Sequence, residues 1–150
     1  MDNVAIRQAT LNDTKAVVSV LVASQWFTYN QLYSKSYIQN LIDQYYNERR
    51  IKDEITLTSD KWSGYFLAER EGKVIGVIGG GMINETAGEI YVFYLDPNFR
   101  GLGVGTRLLN FFTKYQCREI VTYSSSFPYN LRIFRLIFKS LKHHKSLILS

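Results

Sequence analysis

Arg100-Gly101-Leu102-Gly103-Val104-Gly105-Thr106 holds the residues of this chain best suited to grip a ligand. Three glycines at alternate positions permit a tight turn and a close approach of the main chain to a bound group. A strand-like run at 89–95 precedes them, and a helical pattern starts at Thr106. A helix leaving such a turn directs its unpaired N–H groups and the positive end of its dipole back at the loop. That is an anion cradle, and phosphate is its usual guest. Two phosphate motifs fail on spacing. A Gly-x-Gly-x-x-Gly fingerprint would need glycine where Thr106 or Leu108 stands, and a P-loop would need a lysine directly after Gly105.

Other reactive residue types are poorly placed. Cys117 is the one cysteine, so it forms no internal disulfide, and the sequence shows no base to activate it. His143 and His144 are adjacent, a spacing that suits neither a helical metal pair nor a zinc cluster, so no metal site is expected.

Several elements must position the loop. Val4-Ala5-Ile6-Arg7 reads as a strand, and Thr10 with Asp13 resembles a capping box ahead of a helix carrying Val17, Val20, Leu21 and Ser24 on one face. Ser34 or Ser36 caps a second helix with Ile38, Leu41, Ile42 and Tyr45 aligned. Residues 47–60 are charged and loop-like, with at most a frayed helix end. Strands follow at 65–69, 74–78 and 88–95, with a turn at Glu71-Gly72-Lys73 and a glycine run at 79–81. Asp96-Pro97 ends the third of these, since proline cannot continue a central strand. Val104, Leu108, Phe111, Phe112 and Tyr115 share a helical face, and residues 119–123 read as a fifth strand. The pattern is mixed α+β, a mainly antiparallel sheet with one parallel crossover around the glycine loop.

Composition narrows the function. At 150 residues and 46% apolar, the chain reads as one folded domain over residues 1–150. No apolar run reaches the roughly 18 residues of a membrane span, and no leader pattern opens the chain, so a cytoplasmic protein is expected. Five of the 18 basic residues and none of the 13 acidic ones lie beyond residue 131. The net charge of +5 is therefore a property of an atypical tail at 131–150, and the balanced body argues against nucleic-acid and membrane partners.

The segment Gly88-Glu89-Ile90-Tyr91-Val92-Phe93-Tyr94-Leu95-Asp96-Pro97-Asn98-Phe99-Arg100-Gly101-Leu102-Gly103-Val104-Gly105-Thr106-Arg107-Leu108-Leu109 resembles the GNAT superfamily of acetyl-CoA-dependent N-acetyltransferases. Ile6-Arg7-Gln8-Ala9-Thr10…Asp13 and the hairpin at 65–78 are similar to that family too, so the likeness covers roughly residues 4–123. The resemblance implies acetyl-CoA as cosubstrate and a primary amine, small-molecule or peptide, as acceptor. It implies that amides of Arg100, Gly101, Leu102, Gly103, Val104, Gly105 and Thr106 bind the coenzyme's diphosphate. It places Tyr94 and Leu95 beside the pantetheine arm, with the Leu95 N–H as oxyanion donor and Asn130 as a further cofactor contact. Glu89 becomes the general base. Trp26, Tyr29 and Tyr33, with Phe27, lie where the family covers its acceptor, and Trp26…Tyr29…Leu32 loosely resembles a polyamine-acetylating branch.

The C-terminus departs from that pattern. The family's late-helix tyrosine, which protonates the leaving thiolate, has no counterpart after Tyr129; Phe138 stands near its place, and no Gly-Phe turn follows. The last hairpin is therefore expected to be missing or altered, with a strand only at 146–150. Arg132, Arg135, Lys139 and Lys142 step by three, four and three, which predicts an amphipathic helix over 130–142 with a basic face. The fifth strand would keep an unpaired edge, favouring lower stability or a homodimer joined there. Two rival readings remain: a CoA-binding module with weak or no catalysis, and a basic-tail binder of nucleic acid or anionic membrane.

Overall fold

A computed structural model describes residues 3–84, 87–99, 101–123, 133–139 and 144–149, with side chains given up to Gln116 except that of Ala87. Six strands form one sheet in chain order: β1 (Val4–Gln8), β2 (Tyr65–Arg70), β3 (Lys73–Met82), β4 (Ala87–Leu95), β5 (Ile133–Lys139) and β6 (His144–Leu149). Every neighbouring pair is antiparallel except β4–β5, which is parallel. A parallel pair needs a crossover, and α4 (Val104–Tyr123) lies between these two strands in the chain. Three helices precede β2: α1 (Thr14–Tyr29), α2 (Lys35–Tyr45) and α3 (Glu48–Thr56).

Alternation along the strands sorts the core onto two faces. On one, Phe66, Ala68, Ile75, Ile78 and Ile90 pack with Val104, Leu108 and Phe112 of α4. On the other, Tyr65, Leu67, Val74 and Val77 meet Val17, Val20 and Leu21 of α1 and Ile51 of α3. A smaller cluster of Tyr29, Ile38 and Ile42, with Trp26, Tyr33 and Tyr46 against it, joins α1 to α2. Among the described residues no helix is long and apolar enough to cross a membrane.

Three sequence expectations need correction. Residues 47–60 contain a helix, α3, because the Asn47 side chain accepts from the Arg50 amide (2.9 Å) and the fully buried Ile51 anchors an otherwise charged segment. Residues 119–123 continue α4 instead of forming a strand, since they contain neither glycine nor proline and propagation is cheap once nucleated. The helix expected over 130–142 is replaced by β5 at 133–139, paired with β4 on one side and β6 on the other. Its Ile-Phe-Arg-Leu-Ile-Phe-Lys run is β-branched and aromatic, which suits an inner strand better than a helix. A terminal hairpin, β5–β6, is thus present, and the unpaired fifth-strand edge invoked for a homodimer is covered.

The start of α1 is tied to β1 by an ion cluster. Arg7 donates to both carboxylate oxygens of Asp13 (2.8 Å each) and to Glu69 (2.6 Å), while the Thr10 amide donates to Asp13 (2.7 Å). The Arg7 guanidinium, against the cost of burial, holds the Asp13 carboxyl down at about 2. A depressed carboxyl stabilises the fold above its unfolded value near 3.8, and the contribution disappears as pH falls toward 2. Asp13→Asn is expected to cost about 1–2 kcal/mol at neutral pH, discounted for the exposure of Arg7, with the gap to the parent closing between about pH 4 and pH 2. Urea unfolding of both proteins across that range checks it; a gap independent of pH would assign the loss to the cap alone.

Candidate functional site

The glycine loop joins the end of β4 to the head of α4 through a short 3-10 turn, Pro97–Phe99. Asp96 fastens this corner. Its amide donates to the Ile75 carbonyl (2.8 Å), and its carboxylate accepts from the Asn98 amide (3.0 Å) and pairs with Lys73 (3.2 Å). Burial opposes ionisation, but the Asn98 amide and Lys73 outweigh it and hold the carboxyl below its ordinary range.

The glycines serve two different needs. Gly101 and Gly103 have φ of 78° and 79°, a left-handed backbone that other residues rarely adopt, with open space where a side chain would be. Gly105 is a matter of room: an added Cβ would stand 3.1 Å from Leu95 Cδ1 and 3.5 Å from Phe93 Cζ, so its absence lets α4 sit close on β4. Buried Val104 and Leu108 anchor the first turn of the helix. Within the described residues, no amide from Gly101 to Thr106 donates to an acceptor, and the first donor at this end is Arg107, to the Gly103 carbonyl (3.1 Å). Amides without an acceptor among the described residues, at the positive end of a 20-residue helix, suit an anion. Arg100 and Asn130, expected from the sequence to join it, lie outside the described residues.

Among the described residues, the strand leading to the loop has an open edge. Pairing of β4 with β5 ends at Ile90↔Leu136. On the other side, Gly79 faces Val92 and Gly80 faces Ile90, which leaves Tyr91 as an extra residue, a β-bulge. The bulge bends β4 where it leaves β5. Because the Asp96 amide points at β3, strand alternation turns the main-chain groups of Leu95 and Phe93 away from β3, onto the open edge. One of them is already engaged: the Ser24 hydroxyl of α1 donates to the Leu95 carbonyl (3.1 Å).

Glu89 lies at the other end of this edge and is buried, with 8% of its surface exposed. Burial and a hydrogen bond to the Glu89 carboxylate push the Tyr91 hydroxyl up to about 12. The Trp62 ring packs 6.4 Å from Tyr91 and edge-on to Tyr65 at 5.0 Å. Trp62 itself donates through Nε1 to the Glu54 carbonyl (2.6 Å), and Tyr65 hydrogen-bonds the Glu54 carboxylate. The run Gly79-Gly80-Gly81 makes this possible. A Cβ on Gly80 would lie 2.0 Å from the Glu89 carbonyl oxygen, and one on Gly81 would lie 2.1 Å from that of Lys61. The glycines admit the bulged strand on one side and the 59–62 segment on the other.

Trp26, Tyr29 and Tyr33 gather between α1 and α2, with Tyr29 and Tyr33 rings 5.9 Å apart and Tyr37 5.3 Å beyond Tyr33. Tyr29 is buried and its hydroxyl is pushed up by burial, then by Tyr94 and Tyr33. Tyr46 is raised by burial and also by a hydrogen bond with Tyr94. Phenols from α1, from the end of α2 and from β4 therefore meet over the last residues of β4. Tyr46 and Tyr91 are missed from the sequence, because only long-range packing brings them here; an excess of tyrosine, 11 in 150, is the one signal they leave. Among the described residues no three metal-ligating side chains gather.

A model of the acetyltransferase (GNAT) family matches residues 26–123. The chain is 28% identical over 108 residues to a spermidine N(1)-acetyltransferase of Thermoplasma acidophilum, a match covering 71% of this chain and 66% of that protein. In fold it is similar to the PaiA N-acetyltransferase of Thermoplasma acidophilum, solved in complex with coenzyme A, with TM-score 0.75, 22% identity and coverage of 90% of this chain and 79% of the other. It is also similar to a GCN5-related N-acetyltransferase of Rhodopseudomonas palustris, with TM-score 0.65, 17% identity and coverage of 91% and 74%.

Proposed function

Because the chain belongs to the acetyltransferase (GNAT) family, we propose that it moves the acetyl group of acetyl-CoA directly onto a primary amine. The observation that carries the reading is the row of amides at residues 101–106 that meet no acceptor among the described residues, set beside the edge of β4 that those residues leave open. The amides take the diphosphate, and an extended arm runs back along the edge toward Glu89. A neutral amine then attacks the thioester carbonyl, the C–S bond breaks, and coenzyme A leaves as thiolate and takes up a proton.

Each group on β4 has a separate task. An alkyl ammonium has a pKa near 10 and no lone pair, so a base must take its proton before attack. Glu89 is that base. At about 3.3 Å per residue, Phe93 lies at most about 13 Å from Glu89 and Leu95 about 20 Å. We therefore assign the oxyanion contact to the Phe93 amide and the pairing of the arm to Leu95, with water carrying the proton to Glu89. The Tyr91 hydroxyl fixes the carboxylate that receives it.

Tyr29 and Tyr46, whose phenols burial keeps from ionising, and Trp26 at the α1–α2 junction suit an alkyl ammonium, which aromatic faces attract. We take the acceptor to be a small alkyl amine of the polyamine type, in keeping with the spermidine-acetylating relative. The cytoplasm, where acetyl-CoA and such amines meet, is the proposed compartment.

Thermal unfolding with acetyl-CoA tests the reading. At 100-fold excess over Kd the melting temperature is expected to rise by about 5–10 °C. Gly103→Glu forces a side chain onto a φ of 79° and sets a carboxylate against the diphosphate, so the rise should vanish while the variant still melts cooperatively. An unchanged rise would put the coenzyme elsewhere. Thiol release over a panel of amines separates transfer from mere binding.

A further inference from the structure

Gln25 of α1 is 2% exposed, and its Nε2 has no hydrogen-bond partner among the described residues. A buried amide donor left unmade is costly, so such an atom asks what completes it. Its neighbours along the helix answer where it lies. Leu21 and Tyr29 stand one turn before and after it on the same face. Leu21 packs in the cluster that Val92 and Tyr94 close, and Tyr29 interacts with Tyr94. Gln25 therefore lies over the last residues of β4. The adjoining residue, Ser24, already touches the open edge at the Leu95 carbonyl (3.1 Å).

The missing partner must be an acceptor, since Nε2 can only donate. An alkyl ammonium has no lone pair to offer, so the charged end of an amine substrate cannot satisfy it. A carbonyl oxygen can. The candidates are an amide carbonyl of the pantetheine arm and a carbonyl carried by the acceptor. The arm is favoured, because Gln25 stands above the stretch of β4 whose main chain is open. We propose that Gln25 Nε2 donates to a carbonyl oxygen of the acyl donor's arm, so that α1 closes over the coenzyme opposite β4. This rests on the reading of the chain as an acetyl-CoA enzyme. It gives α1 a part in selecting the donor.

Gln25→Met, which keeps the shape and removes the donor, tests the assignment. Deleting an unmet donor leaves the coenzyme-free protein as stable as the parent or more so. Binding of acetyl-CoA, measured by calorimetry without acceptor, is expected to weaken about five- to tenfold. Binding of ADP, which has the diphosphate but no arm, is expected to stay unchanged. Equal acetyl-CoA affinity in both proteins overturns the inference and leaves the enzyme reading intact. A raised KM for the amine alone moves the carbonyl to the acceptor and overturns the assignment to the arm. A coenzyme-free variant that melts several degrees lower makes the amide structural and also overturns it. A parent that binds ADP and acetyl-CoA no better than serum albumin does overturns the enzyme reading and this inference together.

Discussion

Glu89→Gln is expected to lower kcat by about 10²–10⁴-fold while the KM for acetyl-CoA stays within about twofold. The range is what a positioned proton acceptor contributes, and the substitution keeps the size of the side chain and an oxygen for the Tyr91 hydroxyl to meet. The proposed coenzyme loop is remote from the change, about 20 Å along the strand at Leu95, so donor binding has no reason to suffer. The variant should also lose the acidic limb of the pH–rate profile, because the group that must be ionised there is gone. Steady-state kinetics across pH read both effects. A variant that keeps a third of the parent's kcat with an unaltered profile would send the amine's proton elsewhere.

The second large effect concerns stability. Gly80→Ala should destabilise the protein by about 2–4 kcal/mol, because the new methyl would stand 2.0 Å from the Glu89 carbonyl oxygen and 3.0 Å from Ile90 Cα. Those are main-chain atoms of a paired strand, so neither can move without disturbing the β3–β4 ladder and the bulge at Tyr91. Gly105→Ala supplies the contrast. Its methyl would meet the end of the Leu95 side chain at 3.1 Å, which can turn aside, and alanine favours the helix by up to about 1 kcal/mol. The net change there should be small. Urea denaturation of both variants decides the matter, and a Gly80→Ala loss below about 0.5 kcal/mol would show that the strand gives way freely. Since the Gly80 clash bears on the residue that carries the proposed base, activity should fall with stability.

Which features were legible beforehand follows from how local their causes are. The loop at 101–106 stands out because φ near +78° demands glycine regardless of surroundings, and alternate glycines leave a visible spacing. The capping box at Thr10 and Asp13, the Gly72 turn and the end of β4 at Asp96-Pro97 are likewise short-range. The same reading failed at residues 48–56, where one buried isoleucine decides a charged helix, and at 119–123, where β-branched residues are carried along by a helix already formed. It failed at 133–139 because four cations at helical spacing outweighed an apolar run whose fate depends on a strand more than forty positions earlier, at Ala87–Leu95.

The order of residues by itself therefore determined the glycine turn at 101–106, the hairpins before it and the resemblance that led to an acyl donor, since each depends on backbone dihedrals or on side chains a few positions apart. Only the tertiary structure decided that β4 leaves β5 at a bulge, that Glu89 is buried beside Tyr91, that Ser24 of a distant helix reaches the Leu95 carbonyl, and that Gln25 beside it is buried. Those facts come from packing between segments far apart in the chain, where burial and pairing outweigh local preference and no spacing records the outcome.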